Sequence, residues 1–125
     1  MKTRLLSAVI LLALSVPLGT LGQSKVALPE PYKKWLDEEV VYIITSHERD
    51  VFRQLQTDRE RDIFVEAFWK HRDPEPATPK NEFEEEHYRR LNYANSTYGR
   101  STPLPGWKTD RGRIHILLGP PKNIE

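Results

Sequence analysis

Residues 106–121 read Gly-Trp-Lys-Thr-Asp-Arg-Gly-Arg-Ile-His-Ile-Leu-Leu-Gly-Pro-Pro. From Arg113 to Leu118 the side chains alternate. Ile114, Ile116 and Leu118 fall on one face and Arg113, His115 and Leu117 on the other, the period of two that marks a strand. Gly119-Pro120-Pro121 stops the run. Ahead of it, Leu104-Pro105-Gly106-Trp107 places Pro and Gly as a type II turn requires, and Thr109-Asp110-Arg111-Gly112 ends on Gly as a type I turn does. The segment therefore reads as two turns feeding one β-strand. A lone strand leaves backbone donors and acceptors without ladder partners, so the reading also implies an incomplete sheet whose remainder lies beyond Glu125.

Upstream, residues 31–99 follow a different grammar, with apolar residues at helical spacing and capping signals at the starts. Pro31 suits a first-turn position, with Leu36, Val40, Ile43 and Ile44 on one face and Trp35 at its edge. Thr45 with Glu48 and Thr57 with Glu60 are Thr-x-x-Glu capping boxes, and Asn81 with Glu84 is a variant. Val51, Phe52 and Leu55 supply the apolar face of a second helix, and Ile63, Phe64, Ala67 and Phe68 that of a third. The third ends near Arg72, because Pro74, Pro76 and Pro79 follow. A fourth runs from Asn81 to Gly99 with Phe83, His87, Leu91, Ala94 and Tyr98 on one stripe. The expectation is an α+β fold, predominantly helical: about four short helices, a turn-rich segment and one strand.

The first 22 residues have the layout of a removable export signal. Met1-Lys2-Thr3-Arg4 is a positive n-region, and Leu5 to Gly19 is an apolar run broken by Pro17 and shorter than the ~20 residues that span a bilayer. Residues 23–30 then serve as a linker and 31–125 as the domain, with 31–99 helical and 100–125 turn and strand. Removing residues 1–22 takes Lys2 and Arg4 with them, leaving 17 basic and 18 acidic side chains. That near balance argues against a nucleic-acid partner, since phosphate binding requires concentrated positive charge. No stable membrane span remains after cleavage, and the expected location is periplasmic or extracellular. The absence of cysteine excludes disulfides, thiolate metal sites and a cysteine nucleophile.

The pentapeptide Gly106-Trp107-Lys108-Thr109-Asp110, continuing through Arg111 and Gly112, resembles the signature of the GWxTD domain family. Phe68-Trp69-Lys70-His71-Arg72-Asp73-Pro74 and the charged clusters at Glu48-Arg49 and Asp58–Arg61 agree with it. The resemblance implies an exported bacterial protein associated with the cell envelope, with no established activity or cofactor. It also implies that the strand after the motif continues into further sequence.

No catalytic constellation is legible. His71-Arg72-Asp73 begins like a kinase catalytic loop, but Thr78 stands where that loop needs Asn. Glu84-x-x-His87 is half of a di-iron motif without its second half, and His87 lies on an apolar stripe. No catalytic, metal or cofactor-binding residue is therefore assigned. The signature residues Gly106, Trp107, Thr109, Asp110, Arg111 and Gly112 read first as structural, and Trp69, Arg72, Asp73 and His115 are secondary candidates. The expected function is a non-enzymatic envelope module that binds a protein partner or serves architecture. The alternative is an enzyme or ligand-binding domain whose pocket joins Asp73, Trp107, Asp110, Arg111 and His115 and is completed by later sequence.

Overall fold

The structure is a computed structural model that describes residues 27–123. The expected signal at 1–22 and the linker residues 23–26 lie outside the described residues. Five α-helices follow one another: α1 (Glu30–Lys34), α2 (Ser46–Gln54), α3 (Asp58–Lys70), α4 (Glu82–Tyr98) and α5 (Asp110–Leu118). A π-helical turn, Trp35–Glu39, continues α1, and a 3-10 turn, Gly106–Lys108, precedes α5.

The capping signals act locally, as the sequence implies. Thr45 and Thr57 each accept from the backbone of the glutamate three residues on, and Glu48 and Glu60 reach back to the cap amides. The Asn81 side chain accepts from the Glu84 amide and donates to the Trp69 carbonyl at 2.7 Å, so one residue starts α4 and anchors it to the end of α3. The first helix departs from a regular pattern. Its π turn, closed by Val40 N–H donating to the Trp35 carbonyl at 3.0 Å, widens the backbone. Trp35, Leu36 and Val40 all turn inward as a result, and Trp35 is buried rather than at the edge of the face.

Two apolar clusters share the interior. The first joins Trp35, Leu36 and Val40 to Phe52 of α2 and to Phe68 and Trp69 of α3. Its rings pack tilted or edge to face, Trp35 on Phe52 at 5.1 Å and Trp35 on Phe68 at 5.1 Å, which suits their quadrupoles. The second joins Leu91 and Ala94 of α4 to Ile116 of α5, with Tyr42 and Trp107 packed against it. Tyr88 touches both clusters. Ile63, assigned to the buried face of the third helix from spacing, is 55% exposed instead.

The expected strand is absent among the described residues, and the fold is all-helical there rather than α+β. Residues 113–118 belong to α5. Thr109 is extended, with φ −73° and ψ 156°, and its side chain accepts from the Gly112 amide, as an N-cap does. A type I turn and the first turn of a helix begin with nearly the same dihedrals, so the local sequence serves either. The helix prevails because it satisfies its own backbone and still sets His115 and Ile116 inward. No ladder partner is then needed, so the unpaired strand gives no reason to look for a sheet. The type II turn is also absent: Gly119 is the only described glycine with positive φ, so Gly106 does not occupy the left-handed position that turn requires.

Phe52 has no exposed surface and contacts Trp35, Tyr32 and Phe64. Phe52→Ala is expected to cost about 3–5 kcal/mol, measured as a lowered midpoint in urea unfolding followed by far-UV circular dichroism.

Candidate functional site

The signature segment joins α5 to α4 through backbone contacts that admit no side chain. A Cβ built on Gly106 would lie 1.9 Å from the Ala94 carbonyl oxygen, and one on Gly112 would lie 1.8 Å from the Gly106 carbonyl oxygen. Thr109 is tied between them, its hydroxyl donating to the Gly106 carbonyl at 2.8 Å and accepting from the Gly112 amide at 3.0 Å. Trp107 donates its backbone N–H to Asn95 Oδ1 at 2.9 Å, and its carbonyl accepts from the Tyr42 hydroxyl at 2.8 Å. Its indole is half-buried on the second apolar cluster beside the Tyr42 ring. Asp110 opens α5, where its carboxylate faces the positive end of the helix dipole. Arg111 is exposed.

The secondary candidates lie elsewhere. Arg72 stacks on the Phe68 ring, its guanidinium carbon 3.7 Å from the centroid, and donates to both carboxylate oxygens of Glu48 at 3.0 and 2.9 Å. It also donates to the Ile43 carbonyl at 3.3 Å. Burial works to raise the Glu48 pKa, but the bonds from Arg72 and Thr45 hold it below the ordinary range. One carboxylate thus serves a capping box and an ion pair joining α2 to the end of α3. Asp73 accepts from the Glu75 amide at 3.0 Å and shapes the turn after α3. Trp69 is buried among Phe68, Phe83, His87 and Tyr88. His115 stacks on Tyr93 at 4.5 Å between centroids and meets the edge of Tyr98.

Neither of two grooves in the structure joins Asp73 to Trp107, Asp110, Arg111 or His115. One, about 310 Å³, lies between α4 and α5 and is lined by Phe83, His87, Ile116 and Leu117 together with Glu82, Glu86 and Arg90, with Ile43 and Pro74 at its side. The other, about 860 Å³, contains Trp69 and Asp73 but none of Trp107, Asp110, Arg111 or His115. Among the described residues no group of three or more His, Asp or Glu side chains is arranged to hold a metal ion. The Glu84-x-x-His87 motif is spent otherwise. His87 Nε2 donates to the Glu39 carbonyl at 2.6 Å, and Glu84 lines the larger groove.

Two features were not drawn from the sequence. Arg61 is 2% exposed, bridging Asp58 at 2.7 Å and the Leu55 carbonyl at 3.0 Å beneath Tyr32. Asp62 and Glu66 both line the larger groove; their spacing of four along α3 was the signal for a shared face.

The described chain is thus an all-helical module whose last helix is held on the rest by a glycine-centred signature. Residues 28–125 match the family model of the GWxTD domain, and the chain belongs to that family. No curated protein matches it, and no solved structure does.

The glycine contacts predict a sharp contrast in stability. Gly106→Ala and Gly112→Ala should each cost about 4 kcal/mol or more, the range reserved for a backbone that cannot yield. Arg111→Ala, in the same signature but exposed, should stay within about 0.5 kcal/mol. Urea unfolding of the three variants checks the order.

The buried histidines predict acid sensitivity. Burial lowers the pKa of His87 against an opposing bond to Glu39, with the Arg90 charge assisting burial. Burial and then Arg90 lower that of His115. The unfolded chain therefore binds these protons more readily than the native one. Their contribution is complete above the unfolded value of about 6.5 and shrinks as pH falls below it. Glu84, raised by burial and then by Glu85, works in the opposite sense, its contribution being lost as pH rises. The melting temperature should fall from pH 7 to pH 5.5, and His87→Gln with His115→Gln should flatten that slope in a calorimetric series.

Proposed function

We propose that the chain is an exported cell-envelope module that acts by binding another protein rather than by catalysis. The observation that carries this reading is the outer face of α5. Ile114, Leu117 and Leu118 are 58%, 42% and 77% exposed, and Leu117 continues into the groove with Phe83. Apolar side chains grouped on one short helix, beside a groove with an aromatic wall, are costly to leave in water. They suit an occupant that presents aliphatic side chains, an apolar face of a partner protein in the envelope. The family signature supports the same division of labour, since its glycines and threonine hold α5 in place while its helix presents the apolar face.

The N-terminal layout and the family support export. Among the described residues no helix is long and apolar enough to cross a membrane.

A photo-crosslinking residue placed at Leu118 in the full-length chain, expressed in its own host, tests the reading. A discrete adduct with an envelope protein is expected from position 118, and none from the exposed position 34 on α1. Ile114→Asp in the same chain should abolish the adduct while leaving the melting temperature within a few degrees. The absence of any discrete adduct, or its survival in the Ile114→Asp chain, would sink the proposal.

A further inference from the structure

The outward side of α5 carries charge as well as apolar surface, and the two are ordered around the helix. Successive helical residues lie about 100° apart. Gly112, His115 and Ile116 are buried against the rest of the fold. The exposed arc opposite them therefore runs in the order Arg113, Leu117, Ile114, Leu118, Arg111, three aliphatic side chains with an arginine at either margin. Asp110 falls on the same arc but at the first residue of the helix, where the dipole favours a carboxylate.

The two arginines have no charge partner among the described residues. Six of the described arginines, Arg72 and Arg90 among them, pair with a carboxylate of this chain. Four do not, and two of those four, Arg111 and Arg113, stand on this one helix of 9 residues. Arg113 is instead held over the Tyr42 ring, its guanidinium carbon 5.7 Å from the centroid, and Tyr42 is fixed in turn by its bond to the Trp107 carbonyl. The carboxylates at the neighbouring groove are matched within the chain: Glu86 pairs with Arg89 and Arg90, and Glu82 accepts from the Thr78 hydroxyl. Unmatched positive charge thus borders the aliphatic stripe, although the chain beyond the expected signal is nearly balanced.

We infer, taking this face as the protein-docking surface proposed above, that its occupant is an acidic amphipathic helix: its aliphatic stripe meets Leu117, Ile114 and Leu118, and Asp or Glu residues along its two edges pair with Arg113 and Arg111. The occupant is helical because α5 satisfies its own backbone and offers no ladder to an extended segment, whereas a helix arrives with its backbone bonds already made. A large aliphatic side chain of that helix fits the groove of about 310 Å³ beside Phe83 and Leu117. The apolar stripe supplies affinity, and the flanking charges supply selectivity and a faster encounter. A second copy of α5 offers arginines along the same edges where carboxylates are needed, which disfavours self-association through this face.

The purified full-length chain is titrated, by fluorescence anisotropy, with two stapled helical peptides that share one leucine stripe, edged with glutamate in one and with lysine in the other. The glutamate peptide should bind about tenfold more tightly at low salt, as a few rim ion pairs allow, and the preference should shrink in about 1 M NaCl as screening predicts. Arg111→Glu combined with Arg113→Glu should invert the preference, a gain that a misfolded chain cannot show, and Arg59→Glu, an exposed position on α3, should leave it unmoved. No binding of the glutamate peptide, a preference that survives the double reversal, or one lost equally in Arg59→Glu overturns the acidic partner. So does a purified chain that sediments as a dimer and turns monomeric on Ile114→Asp, because the occupant is then a second copy. Equal binding of both peptides, abolished by Ile114→Asp, keeps the docking face and rejects the acidic partner, so the two readings fail separately.

Discussion

The Ala94 carbonyl leaves no room for a side chain on Gly106, and the Gly106 carbonyl leaves none on Gly112. This double backbone contact sets where α5 lies. Once Gly106 is pressed against α4, the 3-10 turn can close, Thr109 can cap, and the first turn of α5 must pass directly over Gly106. His115 and Ile116 are thereby delivered to the tyrosines and leucine of α4, and Ile114, Leu117 and Leu118 are left outward. Trp107 is then a lever with three holds, on Tyr42, Asn95 and the second cluster. A family signature of this kind is a docking joint between two helices, and its polar members serve caps and turns.

The other half of the fold rests on aromatic packing. Trp69 is the connection between halves, since it belongs to the first cluster and also touches Phe83, His87 and Tyr88 of α4. Asn81 reinforces the same junction through the Trp69 carbonyl. Arg72 closes it from the side, where a guanidinium on a phenylalanine face and a bidentate carboxylate replace the water lost on burial. The chain turns at Asp73 and the proline-rich stretch after it, and this turn completes one wall of the larger groove.

The two surfaces left over differ in chemistry because they sit on different joints. The α5 face is apolar because a short helix cannot bury all of an Ile- and Leu-rich run against one neighbour. The groove is acidic and aromatic because α3 turns Asp62 and Glu66 toward the same side as the inner edge of Trp69. Glycine at 119, with φ of 80° and the Arg90 guanidinium 2.8 Å from where its Cβ would be, ends α5 sharply between them and the chain that follows.

Three helix starts were legible in the sequence because their caps are local: Thr45, Thr57 and Asn81 act on amides three residues away; the cap at Thr109 is as local, but a type I turn begins the same way and the sequence there serves either. The end of the third helix was legible for the same reason, through proline. Tertiary structure alone decided the rest. Six residues from Arg113 to Leu118 alternate like a strand, yet alternation over so short a run is also compatible with a helix that buries only His115 and Ile116. The choice was made by the surface of α4, against which Gly106 is pressed at Ala94, twelve residues back along the chain. The π turn at Trp35 and the burial of Arg61 likewise answer to partners that no local pattern names. Local hydrogen-bond chemistry thus belongs to the sequence by itself, whereas the face each helix buries, and so the surfaces left for binding, exists only once distant backbones have met.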